Sequence, residues 1–135
     1  MPIPANPEDW LSGYIPDLPT PFDEKGEIDL NAFRVLCERQ IEAGVPALVV
    51  CEAAGETSTL SPAEQESVTR TAVEIAGGRA RVIAGAGSNS TSHAIELTKR
   101  AETAGADAIL SVVPSFSTVS LNHSTRAGRL SGSAI

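Results

Sequence analysis

The strongest constraint on this chain is a regular alternation of short apolar runs with longer segments of helical periodicity. Short, largely apolar segments that predict strands cover 47–51, 81–85 and 107–113. The continuous apolar run at 47–51 is typical of a strand that is buried on both faces, as in a parallel sheet covered by helices. With a first strand ending near Thr20-Pro21-Phe22, the sequence predicts an α/β chain in the order βαβαβαβ.

Three helices are predicted between these runs, each with a start and a stop signal. The second opens with a capping box from Ser61 to Glu64, in which each of the two residues can satisfy a backbone amide of the other. Each of the three helices is predicted to end at a glycine. In chain order, the predicted helices run from Asp29 to Gly44, from Ser61 to Gly77, and from Ser90 or Thr91 to Gly105.

An internal repeat favours a barrel among the folds built from this alternation. The segment 43–49 resembles 104–110, as expected for repeated strand–helix units. A doubly wound open sheet is the alternative, because the same alternation builds it. A (β/α)8 barrel needs about 250 residues, so the 135 residues here predict about half a barrel. Open edges on such a sheet invite pairing with another chain, which predicts a homo-oligomer or aggregation.

The segment from Ser115 onward has a different character. It is rich in Ser, Thr, Asn and Gly, contains no acidic residue, and shows no helical stripe. An irregular, low-complexity tail is therefore expected over 115–135, after an N-terminal arm at 1–12 and a half-barrel at 13–114. A reading-frame shift would produce so abrupt a change, and a divergent tail or a cloning artefact is equally compatible with it.

Charge and composition argue against several function classes. The formal net charge is −7 and no run of Lys or Arg occurs, so neither nucleic acid nor an anionic membrane is an expected partner. No apolar run has the length of a membrane span, and the N-terminus does not look like a secretory signal. Cys37 and Cys51 lack metal-ligand spacing and are expected to be free thiols. These features predict a cytoplasmic protein without a metal site.

Two segments at predicted strand ends are candidates for ligand binding. Glu52 to Glu56 follows the 47–51 run, and its amides and carboxylates would lie at the carboxyl end of a strand, where barrels carry their active sites. Gly85 to Ser90 resembles the start of a dinucleotide-binding loop but lacks the third glycine. Close packing at a strand end is the simpler explanation of those glycines, and a small anion-binding module remains an alternative function.

A series of short motifs resembles the family of pyruvate-dependent lyases that includes dihydrodipicolinate synthase and N-acetylneuraminate lyase. The similarity extends over most of Gly13 to Pro114, and its force comes from the order and spacing of the motifs. They are Thr20-Pro21-Phe22-Asp23, Gly55-Glu56, Thr59-Leu60-Ser61 with Glu64, Gly85 to Thr91, Ala104-Gly105-Ala106-Asp107 and Val113-Pro114.

This resemblance implies a (β/α)8 barrel and class I aldolase chemistry, in which a lysine forms a Schiff base with pyruvate and no separate cofactor is needed. The protonated imine withdraws electrons and lets an enamine form. It also implies that Ala53 and Ala54 stand where the family has hydroxyl residues that hold the pyruvate carboxylate. Their backbone amides remain available, and Glu52, which replaces a glycine, is a further candidate for substrate binding. Phe116 stands at the position of a proton-relay tyrosine.

The family's Schiff-base lysine lies on the sixth barrel strand, and no residue of the present chain corresponds to it. The two lysines of this chain, Lys25 and Lys99, are expected in a loop and within a helix, both on the surface. No catalytic residue is therefore predicted, and the chain is expected to be inactive alone. The alternative is a non-catalytic half-barrel that acts in assembly. By resemblance, the substrates would be pyruvate and an aldehyde or sugar acid.

Overall fold

The structure is a computed structural model that describes residues 11, 13–52, 59–87, 91–113, 116–121 and 133–134. From Val112 onward, the description is of the backbone. Within these residues, three helices alternate with three parallel strands, and two further strands follow. The elements are α1 (Leu30–Glu42), β1 (Ala47–Val50), α2 (Pro62–Ala76), β2 (Arg81–Gly85), α3 (Thr91–Ala104), β3 (Ala108–Val113), β4 (Phe116–Leu121) and β5 (Ser133–Ala134).

The predicted N-caps of the first two helices are confirmed. The Asp29 carboxylate accepts a hydrogen bond from the Ala32 amide at 3.0 Å. At the start of α2, Ser61 Oγ accepts from the Glu64 amide at 3.1 Å, and Glu64 Oε1 accepts from the Ser61 amide at 2.8 Å. Because these bonds satisfy amides that have no partner within the helix, they fix where each helix begins.

The sheet is parallel over its first three strands, with neighbours in the order β1-β2-β3. Ala47 lies opposite Arg81 in the β1–β2 register, and Ile83 lies opposite Ala108 in the β2–β3 register. In parallel strands the carboxyl ends lie at one edge of the sheet. The strand ends at Val50, Gly85 and Val113 therefore lie on the same side of the molecule.

The first predicted strand is reduced to one bridge and does not reach Thr20-Pro21-Phe22. Asp17 pairs with Val49 in parallel, the Leu18 amide donates to the Val49 carbonyl at 2.9 Å, and the Val49 amide donates to the Pro16 carbonyl at 2.9 Å. Prolines at positions 16, 19 and 21 have no N–H to donate, so a longer ladder cannot form here.

Both faces of the parallel sheet are apolar, as the continuous run at 47–51 predicts. The larger core lies between the sheet and the helices and includes Phe33, Leu48, Val68 and Leu97. The opposite face, which corresponds to the inside of a barrel, carries a smaller cluster. That cluster consists of Ala47, Ile83 and Ala108, with the partly buried Leu11, Ile15, Val49 and Leu110 packed against it.

The expectation of an irregular tail is corrected for the six residues of β4. This strand pairs antiparallel with β3 over its whole length, from Ala108 opposite Leu121 to Val113 opposite Phe116. The edge of β3 exposes backbone N–H and C=O groups that need partners, and Phe116, Thr118 and Val119 favour an extended strand there. The sequence predicted an open sheet edge at the fourth barrel strand, which is β3 of the structure. That edge is instead paired with β4 of the same chain.

In the described part of the chain, no helix combines the length and the apolar character needed to cross a membrane.

The Ala-Gly sequence recurs at the ends of α1 and α3, and comparing its two glycines tests how closely the α3–β3 turn packs against α2. Gly44 and Gly105 both have left-handed backbones, with φ values of 92° and 99°. A Cβ on Gly44 would meet nothing within 4 Å, whereas a Cβ on Gly105 would lie 3.2 Å from Val73 Cγ1. We expect Gly44→Ala to lower the free energy of unfolding by about 1–2 kcal/mol through backbone strain. Gly105→Ala should cost a further ~1 kcal/mol, because Val73 must move.

Urea denaturation of the two variants and the wild type measures these differences. Equal losses for Gly44→Ala and Gly105→Ala would contradict the contact between the α3–β3 turn and α2.

Candidate functional site at the carboxyl edge of the sheet

The candidate site begins at Cys51, where β1 ends in a left-handed turn. Cys51 has a φ of 58°, a conformation that is unfavourable for a residue with a side chain. Ala47 and Val49 face the barrel-interior cluster, and strand alternation alone would place Cys51 on that face too. The turn instead directs its side chain into the core between sheet and helices.

The thiol of Cys51 is held by two polar groups of α2. Cys51 Sγ lies 3.5 Å from the Gln65 carbonyl oxygen and 3.8 Å from Thr69 Oγ1. Gln65 and Thr69 are themselves buried and hydrogen-bonded, Thr69 to the Gln65 carbonyl at 2.9 Å and Gln65 to the Leu60 carbonyl at 3.3 Å. Burial raises the pKa of Cys51 to about 12. The thiol is therefore a structural group and not a nucleophile at neutral pH.

Gly85, the last residue of β2, lies directly beneath the backbone of this turn. A Cβ at this position would overlap the carbonyl oxygen of Cys51 and lie 3.2 Å from Glu52 Oε2. Only glycine allows the two strand ends to approach so closely. The interpretation of this glycine as a close-packing residue is confirmed.

Glu52 brings a carboxyl group to the barrel-interior side of this edge. Gly85 shares its face of β2 with Ile83, which belongs to the barrel-interior cluster, so a group above the Cβ position of Gly85 lies on that side. Glu52 Oε2 is buried and has no hydrogen-bond partner in the described part of the chain. Burial first, and then repulsion from Asp17, raises the pKa of the Glu52 carboxyl above its ordinary value.

Of the other residues proposed from the sequence, the structure describes Phe116 and the two lysines, and it places Phe116 beside the carboxyl end of β3. Ala53 and Ala54, the proposed carboxylate-binding residues, lie outside the described residues, although they follow Glu52 directly. Phe116 lies on β4 opposite Val113. Lys25 is exposed in the turn before α1, and Lys99 is exposed on α3, so the expected surface positions of both lysines are confirmed.

Two features of the site were not anticipated from the sequence. One is the left-handed turn at Cys51, and the other is the buried polar pair of Gln65 and Thr69 behind it. The sequence does carry a weak signal for the pair, since two polar residues four apart interrupt the inner face of α2. Across the described ranges, no group of three or more metal-ligating side chains comes together.

Comparison with known proteins establishes the family. Residues 10–125 match the model of the "Dihydrodipicolinate synthetase family". The chain is 51% identical over 106 residues to 4-hydroxy-tetrahydrodipicolinate synthase of Brucella abortus, covering 78% of this chain and 36% of the relative. It is 55% identical over 104 residues to the protein of the same name from Hyphomonas neptunium, covering 77% of this chain and 35% of the relative.

Solved structures give the same result for the fold. Dihydrodipicolinate synthase from Aquifex aeolicus superimposes with a TM-score of 0.72 at 46% identity, over 75% of this chain and 34% of that chain. The enzyme from Acinetobacter baumannii, described as chloride-inhibited and complexed with pyruvate, gives a TM-score of 0.73 at 42% identity, over 76% and 35% of the two chains.

The parallel strands, the helices on one face and the site at the carboxyl edge define part of a (β/α)8 barrel of the class I aldolase type. The chain belongs to the dihydrodipicolinate synthetase family. It spans about a third of the length of the relatives that it matches. The doubly wound open sheet that the sequence left open is thereby excluded.

The partly buried carboxyl of Glu52 leads to a prediction for stability. A carboxyl group whose pKa is raised in the folded state holds its proton more tightly there than in the unfolded chain. Its ionisation therefore destabilises the fold as pH rises above the unfolded pKa. We expect Glu52→Gln to increase the free energy of unfolding at pH 7 by about 1 kcal/mol, with the increase disappearing near pH 4 as the wild-type carboxyl becomes protonated.

Urea denaturation at both pH values measures this difference. Glu24→Gln, at an exposed position in the turn before α1, is the control and should change stability little at either pH. The same difference between Glu52→Gln and wild type at pH 7 and pH 4 would contradict a buried, ionisable Glu52.

Proposed function

We propose that this chain forms the first part of a pyruvate-binding site of a Schiff-base lyase, and that the chain alone does not form the Schiff base. The observation that carries the proposal is the placement of the Cys51–Glu52 turn over Gly85, at the carboxyl edge of the sheet. Substrates of β/α barrels bind at this edge. The family match and the relative described as a pyruvate complex support pyruvate as the ligand.

In this proposal, the backbone amides of Ala53 and Ala54 hold the pyruvate carboxylate. The two alanines follow Glu52 directly in the sequence, after the end of β1. Alanine offers no hydroxyl, so the proton relay that the resemblance implies is not supplied by their side chains. Phe116 likewise has no hydroxyl to pass a proton.

The proposed lack of activity rests on the two lysines. A Schiff base requires an amine within bonding distance of the pyruvate carbonyl, and a lower pKa than that of a solvated lysine assists its formation. Lys25 lies in an exposed turn and Lys99 is exposed on the outer helix layer, neither of them at a strand end. A lysine from outside this sequence would therefore have to complete the reaction, with an aldehyde or sugar acid as the second substrate.

Two further expectations remain proposals. A cytoplasmic location is supported by the two buried free cysteines, which need no oxidising compartment. A homo-oligomer is supported by the apolar barrel-interior face, on which Val49 and Leu110 are only partly buried. The pairing of β3 with β4 covers one of the sheet edges through which such an assembly would form.

Reductive trapping tests the proposed inactivity. The chain is incubated with pyruvate and sodium borohydride, and its intact mass is measured. We expect no mass increase beyond that of a sample treated with borohydride alone. A stable pyruvate adduct would overturn the proposal, and the variants Lys25→Arg and Lys99→Arg, treated in the same way, would then show which amine reacts.

A further inference from the structure

We propose that β4 is an internal cover for the edge of β3, and that this edge, when uncovered, pairs with the β3 edge of a second copy of the chain. Pyruvate binding plays no part in this role, which concerns the backbone of the sheet. The contact differs from that of the homo-oligomer proposed above, which would form through the barrel-interior face.

The sequence of β3 is that of a strand that associates with its own copies when its edge is free. Ala108–Val113 contains no charged residue, no proline and no glycine. Short segments with strong strand preference and no charge are prone to pair with identical segments. Proteins often protect an edge strand with a lysine or a proline, and β3 has neither. Its protection therefore has to come from another part of the chain.

The backbone of β3 shows which of its groups β4 covers. The Ala86 amide donates to the Leu110 carbonyl at 3.0 Å, so Leu110 presents its backbone groups to β2. Successive residues of a strand present their N–H and C=O groups to opposite sides. The residues of β3 that face β4 are therefore Ile109, Ser111 and Val113. Their partners on β4, in the same order, are Ser120, Thr118 and Phe116.

Each of these three facing pairs can exchange two hydrogen bonds, as facing pairs of antiparallel strands do. The N–H of Thr118 consequently points to β3, and the N–H of Ser117, one residue earlier, points away from it. This alternation separates the residues of β4 that are needed to cover the edge from those that are not.

The short connection between the strands favours β4 over a strand from another molecule. Val113 lies opposite Phe116, so two residues join β3 to β4. A partner held by a short linker has an effective concentration on the order of millimolar. A second copy at micromolar concentration therefore cannot displace β4. A parallel strand added to this edge, as in a complete barrel, would also have to displace it.

The outer edge of β4 is a weaker template for association than the edge that it covers. Three of its six residues are Ser or Thr. Its middle residues Thr118 and Val119 pair with Ala134 and Ser133 of β5. Within the described residues, the stretches of β4 that β5 leaves uncovered are therefore shorter than the six-residue edge of β3.

Two proline variants of the full chain test the role of β4. Thr118→Pro removes an N–H that points to β3 and should open the edge. Ser117→Pro is the matched control, because its N–H points away from β3, where a strand tolerates proline. Light scattering after size exclusion gives their masses. We expect Thr118→Pro to approach about twice the wild-type mass as concentration rises, since two β3 edges can pair about a twofold axis. Ser117→Pro should keep the wild-type mass.

Amide hydrogen exchange, followed by NMR, reports on the edge itself. The Ile109 and Ser111 amides should be protected in the wild type and should exchange at least roughly tenfold faster in dilute Thr118→Pro. The Leu110 amide, which faces β2, should stay protected and shows that the sheet remains folded. Protection of Ile109 and Ser111 should return as Thr118→Pro associates, because the second copy then takes the place of β4.

Exchange in the wild type tests the cover without any variant, since unprotected Ile109 and Ser111 amides beside a protected Leu110 would overturn it. A wild-type mass for Thr118→Pro at every concentration would overturn the role of β4 in preventing association, and so would an equal rise in mass for Ser117→Pro. If Leu110 loses protection in Thr118→Pro, Ser120→Pro takes its place in the test, because the Ser120 N–H also points to β3. None of these results bears on the trapping experiment with pyruvate.

Discussion

The carboxyl edge of this structure depends on the left-handed turn at Cys51. A non-glycine residue in this conformation costs about 1–2 kcal/mol, so the surrounding structure must hold it. The thiol is buried on α2, where the Gln65 carbonyl and the Thr69 hydroxyl lie within 3.8 Å. That contact fixes the side chain in the helix-facing core and turns the Cys51 carbonyl toward Gly85. The position of Glu52 follows, because the chain leaves the turn on the barrel-interior side.

The turn at Cys51 also depends on Gly85, which leaves room for the Cys51 carbonyl. With any larger residue at the end of β2, the Cys51 carbonyl could not lie over it, and the two strand ends would have to separate. The close approach leaves Glu52 Oε2 buried, near Asp17 and without a hydrogen-bond partner in the described residues. An ionised carboxyl group in such surroundings is costly for the fold, so its protonation state is coupled to stability.

The sequence predicted the parallel part of the fold well, because the signals there are local. Asp29 and the Ser61–Glu64 capping box mark helix starts by hydrogen bonds within one turn, and the apolar run 47–51 marks a strand buried on both faces. The first strand was overestimated because its prolines lack the donors for a ladder. The antiparallel pairing of Phe116–Leu121 could not be predicted, since it depends on the open edge of β3 and not on any periodicity in the tail.

The site was only partly accessible to sequence reasoning. The segment after β1 was recognised as a candidate, and Glu52 was singled out as a replacement for a glycine. Its burial and its proximity to Asp17 depend on how three chain segments pack, which no local pattern reports. The left-handed φ of Cys51 was not predictable either. A cysteine at the end of an apolar run looks, from sequence, like any other strand residue with an extended backbone. The buried contacts of Gln65 and Thr69 explain it only after the fold is known.

The central claim is that one oxygen of the Glu52 carboxyl is buried over Gly85 and that the charge of Asp17 acts on this carboxyl. Its titration, followed by NMR at the side-chain carboxyl carbon, tests this most directly. We expect the midpoint for Glu52 to lie above that of an ordinary glutamate, and to fall in Asp17→Asn, because the repulsion that raises the pKa is removed. An ordinary midpoint that does not change in Asp17→Asn would contradict the account.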